Sequence, residues 1–268
     1  MKRWRRRRER AAVPLAAALV AVLAAALFAV PLAGLLWRAA GTDVWRALAA
    51  PAARTALWLS FVCSLSATAG SVLLGLPLAW VQARAQFPGR TLLRGITMLP
   101  IVLPPVVGGV ALLFAFGRHG LLGQWLDSAF GIRLPFTTAG AVLAETFVAM
   151  PFFVLTVEGA LGSMDRRLED AARTLGAGRW TIFWGVTLPL IRPSVQAGAV
   201  LCWARALGEF GATITFAGNF PGRTQTIPLA VYLALESDPE AGVVLSLVLL
   251  ALSLAVLIGL RRHLGSFV

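Results

Sequence analysis

Six long apolar runs constrain the fold of this chain more than any other feature. They lie at 13–36, 56–82, 92–116, 138–160, 194–217 and 241–260. Each can cross the roughly 30 Å of hydrocarbon in a bilayer, which takes about 20 helical residues. The runs are rich in alanine, leucine and valine and show no strand-like alternation, so we interpret them as helices. With 58% hydrophobic and 13% charged residues, the chain is predicted to be an all-α, polytopic bundle of six transmembrane helices.

The basic residues are distributed unevenly across the predicted membrane. Sixteen fall on the side that carries both ends of the chain and the connections at 83–94 and 161–190, whereas six fall on the other side. Basic residues favour the cytoplasmic side, so both termini are predicted to be cytoplasmic. The expected organisation is a basic N-terminus at 1–12, a single membrane domain at 13–260 and a C-terminal tail at 261–268. This placement accounts for the net charge of +12 without a nucleic-acid partner.

The sequence contains no pattern typical of catalysis or metal binding. Cys63 and Cys202 lie inside apolar runs with no cysteine or histidine at ligand spacing, so we interpret both as small buried apolar residues. The single lysine is Lys2, and a phosphate-binding P-loop requires a lysine after its glycines. We therefore expect no catalytic residue, metal or cofactor in this chain. If ATP drives the protein, Mg-ATP binds to a separate ATPase chain.

The connection at 161–190 is a polar segment in an otherwise apolar chain, and it predicts a short capped helix. Asp165 is a suitable N-cap, and Gly176 stands where a C′ glycine would end the helix. Between them an apolar face recurs at helical spacing, formed by Leu168, Ala171, Ala172 and Leu175. Such a helix, held at the cytoplasmic end of the bundle, would suit insertion into a groove of a partner protein. A surface loop without a partner would also fit the capping residues.

Aromatic residues and prolines follow this predicted helix. Trp180, Phe183 and Trp184 recur at helical spacing, which is expected to direct their rings toward the membrane interface. Pro189 and Pro193 then precede the fifth apolar run. A loop that only connects two spans would not need this rigid support.

The third predicted span carries three prolines, Pro100, Pro104 and Pro105. Prolines remove backbone donors and kink a helix. Carbonyl groups freed in this way must be covered by protein or face a wet cavity. We therefore expect this span to face the bundle interior or a translocation pathway. A packing kink without a transport role is the alternative.

The fifth predicted span carries Arg205 and Glu209, whose i, i+4 spacing allows a mutual pair. Ionisable groups at this depth are costly and are usually paired or face the interior. Ala204, Gly208 and Ala212 form a stripe of small residues that would permit close helix packing. The span is therefore either an element of the pathway or the site of a structural ion pair.

Three further features are assigned to the outer side of the membrane. Residues 219–226 predict a turn, and the apolar stretch 227–235 is too short to span a bilayer. We interpret that stretch as an interfacial or re-entrant helix that acts as an outer lid, or as a helix packed on the bundle surface. Glu145 in the fourth span has no evident partner and is expected to lie close enough to the outer surface to reach it.

The segment at 170–189 resembles the EAA motif of ATP-binding-cassette importer permeases. That motif has an acid followed by two alanines, a glycine six residues after the acid, and Ile-x-Leu-Pro ten residues later. The matching residues here are Asp170, Ala171, Ala172, Gly176, Val186, Leu188 and Pro189. Aspartate replaces glutamate and valine replaces isoleucine, and both changes keep the chemistry.

Longer stretches are similar to the molybdate branch of the sulfate and molybdate permease family. The stretches are 99–109, 117–123, 168–180, 204–219 and 221–232, and the likeness covers roughly residues 55–260. The resemblance implies the type I importer permease fold and a transport subunit, not an enzyme, that passes molybdate or tungstate to the cytoplasm. A sulfate or thiosulfate importer permease is the nearest alternative. An ion-coupled secondary transporter that uses Glu145 and the Arg205–Glu209 pair is a third.

The resemblance also implies partners and site residues. The permease would form a homodimer in the bacterial inner membrane, with two copies of an ABC ATPase and a periplasmic molybdate-binding protein. The residues expected to couple it to the ATPase are Asp170, Ala171, Ala172, Arg173, Leu175 and Gly176. The residues expected to shape the pathway or its gate are Pro104, Pro105, Arg205, Gly208, Glu209, Thr213 and Arg223.

Overall fold

A computed structural model describes residues 14–264 of the chain. The chain divides into two compact units, one ending at Asp43 and the other beginning at Val44. In the first unit, helix α1 covers Leu15–Ala39, which matches the first predicted span. The predicted basic N-terminus at 1–12 lies outside the described residues, as does 265–268 of the predicted C-terminal tail.

The second unit is helical, and no strand occurs among its described residues. Its helices are α2 (Val44–Ala49), α3 (Pro51–Arg84), α4 (Arg90–Val102), α5 (Pro105–Phe116), α6 (Gly123–Phe130), α7 (Thr138–Ser163), α8 (Arg167–Thr174), α9 (Arg179–Ile182), α10 (Leu188–Leu207), α11 (Gly211–Ala217), α12 (Ile227–Ser237) and α13 (Pro239–Leu264). A π-helical segment at Phe183–Thr187 joins α9 to α10. Four of the predicted spans therefore correspond to single helices, namely α1, α3, α7 and α13, each long and apolar enough to cross a membrane.

The other two predicted spans are broken, which corrects the expectation of continuous helices. The run 92–116 appears as α4 and α5, separated by an extended Leu103 because the residue before a proline avoids the helical region. Pro104 and Pro105 then open α5, where missing N–H groups cost nothing. The run 194–217 appears as α10 and α11, interrupted at residues 208–210.

The core of the second unit lies where α3, α7 and α10 pack together. Phe153 of α7 is fully buried among small residues of its neighbours, including Ala67 and Ala79 of α3 and Cys202 of α10. Small side chains let helices approach closely in a membrane. Cys63 and Cys202 are both free and fully buried, which confirms their interpretation as apolar packing residues.

Helix α12 packs on the bundle surface. Ile227 at its start is fully buried against Ala56 of α3 and Leu245 of α13. The backbone N–H of Ile227 donates to the hydroxyl of Ser60, at 2.6 Å. Of the two interpretations of this stretch, the packing agrees with a helix anchored on the bundle, and a lid function stays a prediction.

Candidate functional site

Helix α8 is the short capped helix predicted for the polar segment. It begins at Arg167, one residue later than an Asp165 N-cap would imply, and the Asp165 carboxylate instead accepts a hydrogen bond from the N–H of Arg167, at 3.0 Å. At its other end Gly176 has φ +82°. The N–H of Gly176 donates to the carbonyl of Arg173 and the N–H of Ala177 to that of Ala172, which is a Schellman termination. Gly176 is needed there because side chains disfavour positive φ.

The apolar face of α8 points away from the protein. Leu175 is 88% exposed and Leu168 is 48% exposed. Asp170 and Arg173 form an exposed pair, at 2.6 Å. The residues predicted to contact an ATPase therefore lie on an accessible surface that presents two leucines and a local ion pair.

The side of α8 that faces the protein is held by Glu169. One oxygen of its carboxylate accepts hydrogen bonds from Arg84, at 3.2 Å, and from the hydroxyl of Thr187, at 2.7 Å. Arg84 ends α3, and Thr187 ends the π-helical segment. Glu169 was not among the residues that the sequence predicted to be functional. Its position beside the apolar face, on the same predicted membrane side as a basic loop, was the only available indication.

The π-helical segment places Thr187 beneath α8. In this segment the N–H of Leu188 donates to the carbonyl of Phe183, five residues earlier. Pro189 follows, and a proline ring clashes with the carbonyl four residues before it in a regular helix. Wider turns of this kind are frequent at functional sites. The rings of Trp180 and Trp184 pack edge-to-face on Phe183.

Arginines of the basic loop after α3 contact oxygen atoms of the bundle, and these contacts were not predicted from the sequence. Arg90 donates to the carbonyl of Gln82, at 2.7 Å, and Arg94 forms an ion pair with Glu158 of α7. The amide of Gln82 donates to the hydroxyl of Thr97, at 2.7 Å. Glu158 is an acid near the end of an apolar span that is predicted to be cytoplasmic, and the basic loop predicted on the same side was the only indication of its partner.

The breaks in the two interrupted spans lie against each other. A methyl group on Gly211, at the start of α11, would lie 2.8 Å from the Cβ atom of Pro105 at the start of α5. Only glycine allows this approach. Pro104, Pro105 and Gly208 are exposed at the surface of the single chain. The structure therefore brings together two groups of predicted pathway residues that lie far apart in the sequence.

Arg205 and Glu209 form the predicted pair. Their side chains are 2.6 Å apart, and Glu209 is 1% exposed. The other carboxylate oxygen of Glu209 accepts the N–H of Ala212, at 2.8 Å, so the residue also caps α11. The predicted small-residue stripe is wrong, because the break rotates its members apart: Ala204 and Gly208 are exposed, whereas Ala212 is buried.

The sequence suggested that the side chain of Glu145 reaches the outer surface, but in the structure this side chain is buried. It lies in α7, whose neighbouring residues Ala144 and Val148 pack against Ala212 and Phe216 of α11. One oxygen of Glu145 and the hydroxyl of Thr213 are buried with no hydrogen-bond partner among the described residues. Thr213 thus lies inside the subunit, and its predicted role in the pathway is untested.

Arg223 lies in the turn at 219–226, and among the described residues no hydrogen bond or ion pair joins it to the two helix breaks. The backbone carbonyl of Arg223 accepts the hydroxyl of Thr138 at the start of α7, at 2.8 Å. In the neighbouring outer connection Asp127 pairs with Arg133 and Arg118. The hydrogen bond from Arg133 lowers the pKa of Asp127 below its ordinary value, and the charges of Arg133 and Arg118 act in the same direction.

Residues 71–266 match the family described as binding-protein-dependent transport system inner membrane component. The chain is 46% identical to the molybdenum transport system permease protein ModB of Mycobacterium tuberculosis, over 92% of this chain and 93% of that protein. It is 44% identical to ModB of Escherichia coli, over 75% and 89% of the two chains. The sulfate transport system permease protein CysT of Escherichia coli is 35% identical, over 92% and 88%.

Solved structures support the same fold. A bacterial ABC transporter that imports alginate matches with a TM-score of 0.72 and 17% identity, over 94% of each chain. The methionine transporter MetNI matches with a TM-score of 0.56 and 18% identity, over 88% of this chain and 97% of that one. The predicted all-α importer permease fold is thereby confirmed. The chain belongs to the family of binding-protein-dependent transport system inner membrane components, and it is a membrane transport subunit and not an enzyme.

Proposed function

We propose that this chain is the permease subunit of an ATP-driven importer that passes molybdate from a periplasmic binding protein to the cytoplasm. The observation that carries the proposal is that this chain is more similar to molybdenum permeases than to sulfate permeases. Relatives named ModB are 44–51% identical, whereas the sulfate permeases are 34–35% identical. Tungstate has the same charge and a similar tetrahedral shape, so we include it among the substrates.

The geometry of α8 supports a separate ATPase as the partner. The helix is capped at its end, exposed along its apolar face and joined to the bundle through Glu169. A short rigid helix with projecting leucines fits a groove of a partner protein. The chain itself has one lysine, Lys2, so it has no P-loop. ATP and Mg²⁺ would bind to two ATPase subunits, and Asp170, Ala171, Ala172, Arg173, Leu175 and Gly176 would form the contact.

The exposure of Arg205 supports a second copy of the permease. Its side chain lies within a predicted membrane span and is 28% exposed in the single chain. A charged group facing lipid at this depth is costly. Pro104, Pro105 and Gly208 are also exposed in this unit. A homodimer would cover this surface and leave a wet pathway between the copies, lined by residues of both breaks.

Competitive uptake tests the substrate. The permease, its ATPase and the loaded binding protein are reconstituted in proteoliposomes, and uptake of labelled molybdate is measured with tungstate or sulfate as competitor. We expect tungstate to compete at equal concentration and sulfate to have little effect. Sulfate competing as well as unlabelled molybdate would assign the chain to sulfate import instead. Uptake without ATP or the ATPase would contradict the ATP-driven mechanism.

A further inference from the structure

Three distant parts of the chain meet at the carboxylate of Glu169. Arg84 lies 85 positions before it and Thr187 lies 18 positions after it. Both contacts are shielded from solvent, since the side chains of Arg84 and Glu169 are 10% and 14% exposed and Thr187 is almost fully buried. Hydrogen bonds to a charged group are stronger than neutral ones, and burial limits screening by salt.

The other polar contacts of α8 side chains are local. Asp170 pairs with Arg173, and the hydroxyl of Thr174 donates to the carbonyl of Ala171. No residue of α8 is fully buried, so apolar packing contributes little to its position. Glu169 is therefore the polar side chain that determines where α8 stands relative to α3 and α10 among the described residues.

Thr187 connects Glu169 to the helix breaks. It precedes α10 directly, and α10 has 20 residues, a rod of about 30 Å. The other end of α10 carries Arg205 and stops at the Gly208–Phe210 break. A displacement of α8 that is transmitted through Glu169 and Thr187 therefore acts on a helix whose other end carries the Arg205–Glu209 pair.

We infer that Glu169 is a positioning residue that joins α8 to α3 and α10. Through its contacts, a movement of α8 displaces α10 as well and is not absorbed by bending of the connecting loop. The inference rests on the proposed contact between α8 and an ATPase. Glu169 adjoins the acid of the EAA-like motif, Asp170, but it lies about 100° around the helix from it and contacts the bundle, whereas Asp170 is exposed. It would act on transport through Arg84 and Thr187 without touching nucleotide or cargo.

The first test measures the position of α8 in the full-length chain without partners. A spin label is placed at Thr174→Cys after Cys63→Ala and Cys202→Ala. We expect Glu169→Gln and Thr187→Val to narrow its spectrum because α8 becomes mobile. Thr181→Val is the matched control, because Thr181 is exposed, and it should leave the spectrum unchanged. A label equally immobile in all variants would overturn the inference, and this outcome does not depend on the proposed function.

The second test separates coupling from folding. In the reconstituted transporter we expect Glu169→Gln to lower molybdate uptake roughly tenfold, which corresponds to about 1.4 kcal/mol, while ATP hydrolysis falls less than about twofold. The exchange Arg84→Glu with Glu169→Arg should recover part of the uptake, since the opposite charges are retained. Uptake and hydrolysis that fall together, with no recovery in the exchanged pair, would indicate a merely structural role and contradict the inference.

Discussion

Glu209 links two structural tasks in one buried side chain. It neutralises Arg205 and caps α11 through the N–H of Ala212. The pairing could be predicted because i, i+4 residues share one face of a helix. The capping could not be predicted, because no proline marks the interruption at 208–210. In a low-dielectric interior an unpaired charge is expensive, so both contacts bear on stability.

We expect Glu209→Ala to destabilise the purified permease by about 3–5 kcal/mol, because Arg205 loses its counter-charge and the N–H of Ala212 loses its acceptor. Glu209→Gln should cost less, since the amide oxygen can still cap α11. Thermal unfolding in detergent measures both variants. Equal melting temperatures for the alanine variant and the unaltered protein would show that the pair does not stabilise the fold.

Other acids show where residue-level prediction failed. Glu158 and Glu169 contact Arg94 and Arg84, which belong to distant parts of the chain. A single sequence places these groups on the same side of the membrane but does not specify which acid meets which arginine. The prediction for Glu145 failed for a related reason, because helical depth alone does not reveal that α11 packs against this part of α7.

Helix α8 is the element that local sequence predicts best. Its length and its terminating glycine follow from capping chemistry and helical periodicity, which involve neighbours in the chain. The orientation of its apolar face does not follow from them. Leu168 and Leu175 project outward, whereas Glu169, about 100° around the helix from Leu168, contacts Arg84 and Thr187 of the bundle.

The end of α8 depends on Gly176 through backbone conformation alone. A methyl group there would meet no atom within 4 Å, but φ is +82°, a region that costs other residues about 1–2 kcal/mol. We expect Gly176→Val to fray α8 and uncouple ATP hydrolysis from uptake, whereas Gly176→Asn, which tolerates this conformation, should retain most uptake. Transport assays with both variants, checked for intact assembly by size exclusion, test this. Normal uptake by the valine variant would contradict the coupling role.

The two broken spans differ in how well their sequences predict the break. Pro104 and Pro105 predict an interruption, and the structure places it at Leu103 and Pro104. The second interruption, at residues 208–210, contains no proline and appears only in the structure. The two interruptions lie in contact, because Gly211 packs against Pro105.

For the whole molecule, the charge distribution predicts topology. We expect Thr174→Cys on α8 to face the cytoplasm and Gln124→Cys on α6 to face the outside, because basic residues accumulate on the side that carries α8. In a background with Cys63→Ala and Cys202→Ala, an impermeant maleimide should label position 124 in intact spheroplasts. Position 174 should react only after permeabilisation. The reverse pattern would invert the proposed orientation.

Local composition and spacing alone were sufficient to predict an all-α membrane protein, the positions of its apolar runs, the capped helix α8 and the Arg205–Glu209 pair. Each of these depends on neighbours within a few residues or on transfer of one segment into lipid. The tertiary structure decided the contact between the two helix breaks, the burial of Glu145, and the attachment of Glu169 to Arg84 and Thr187. These depend on which helices pack together, and that choice is made by side-chain shapes far apart in the chain.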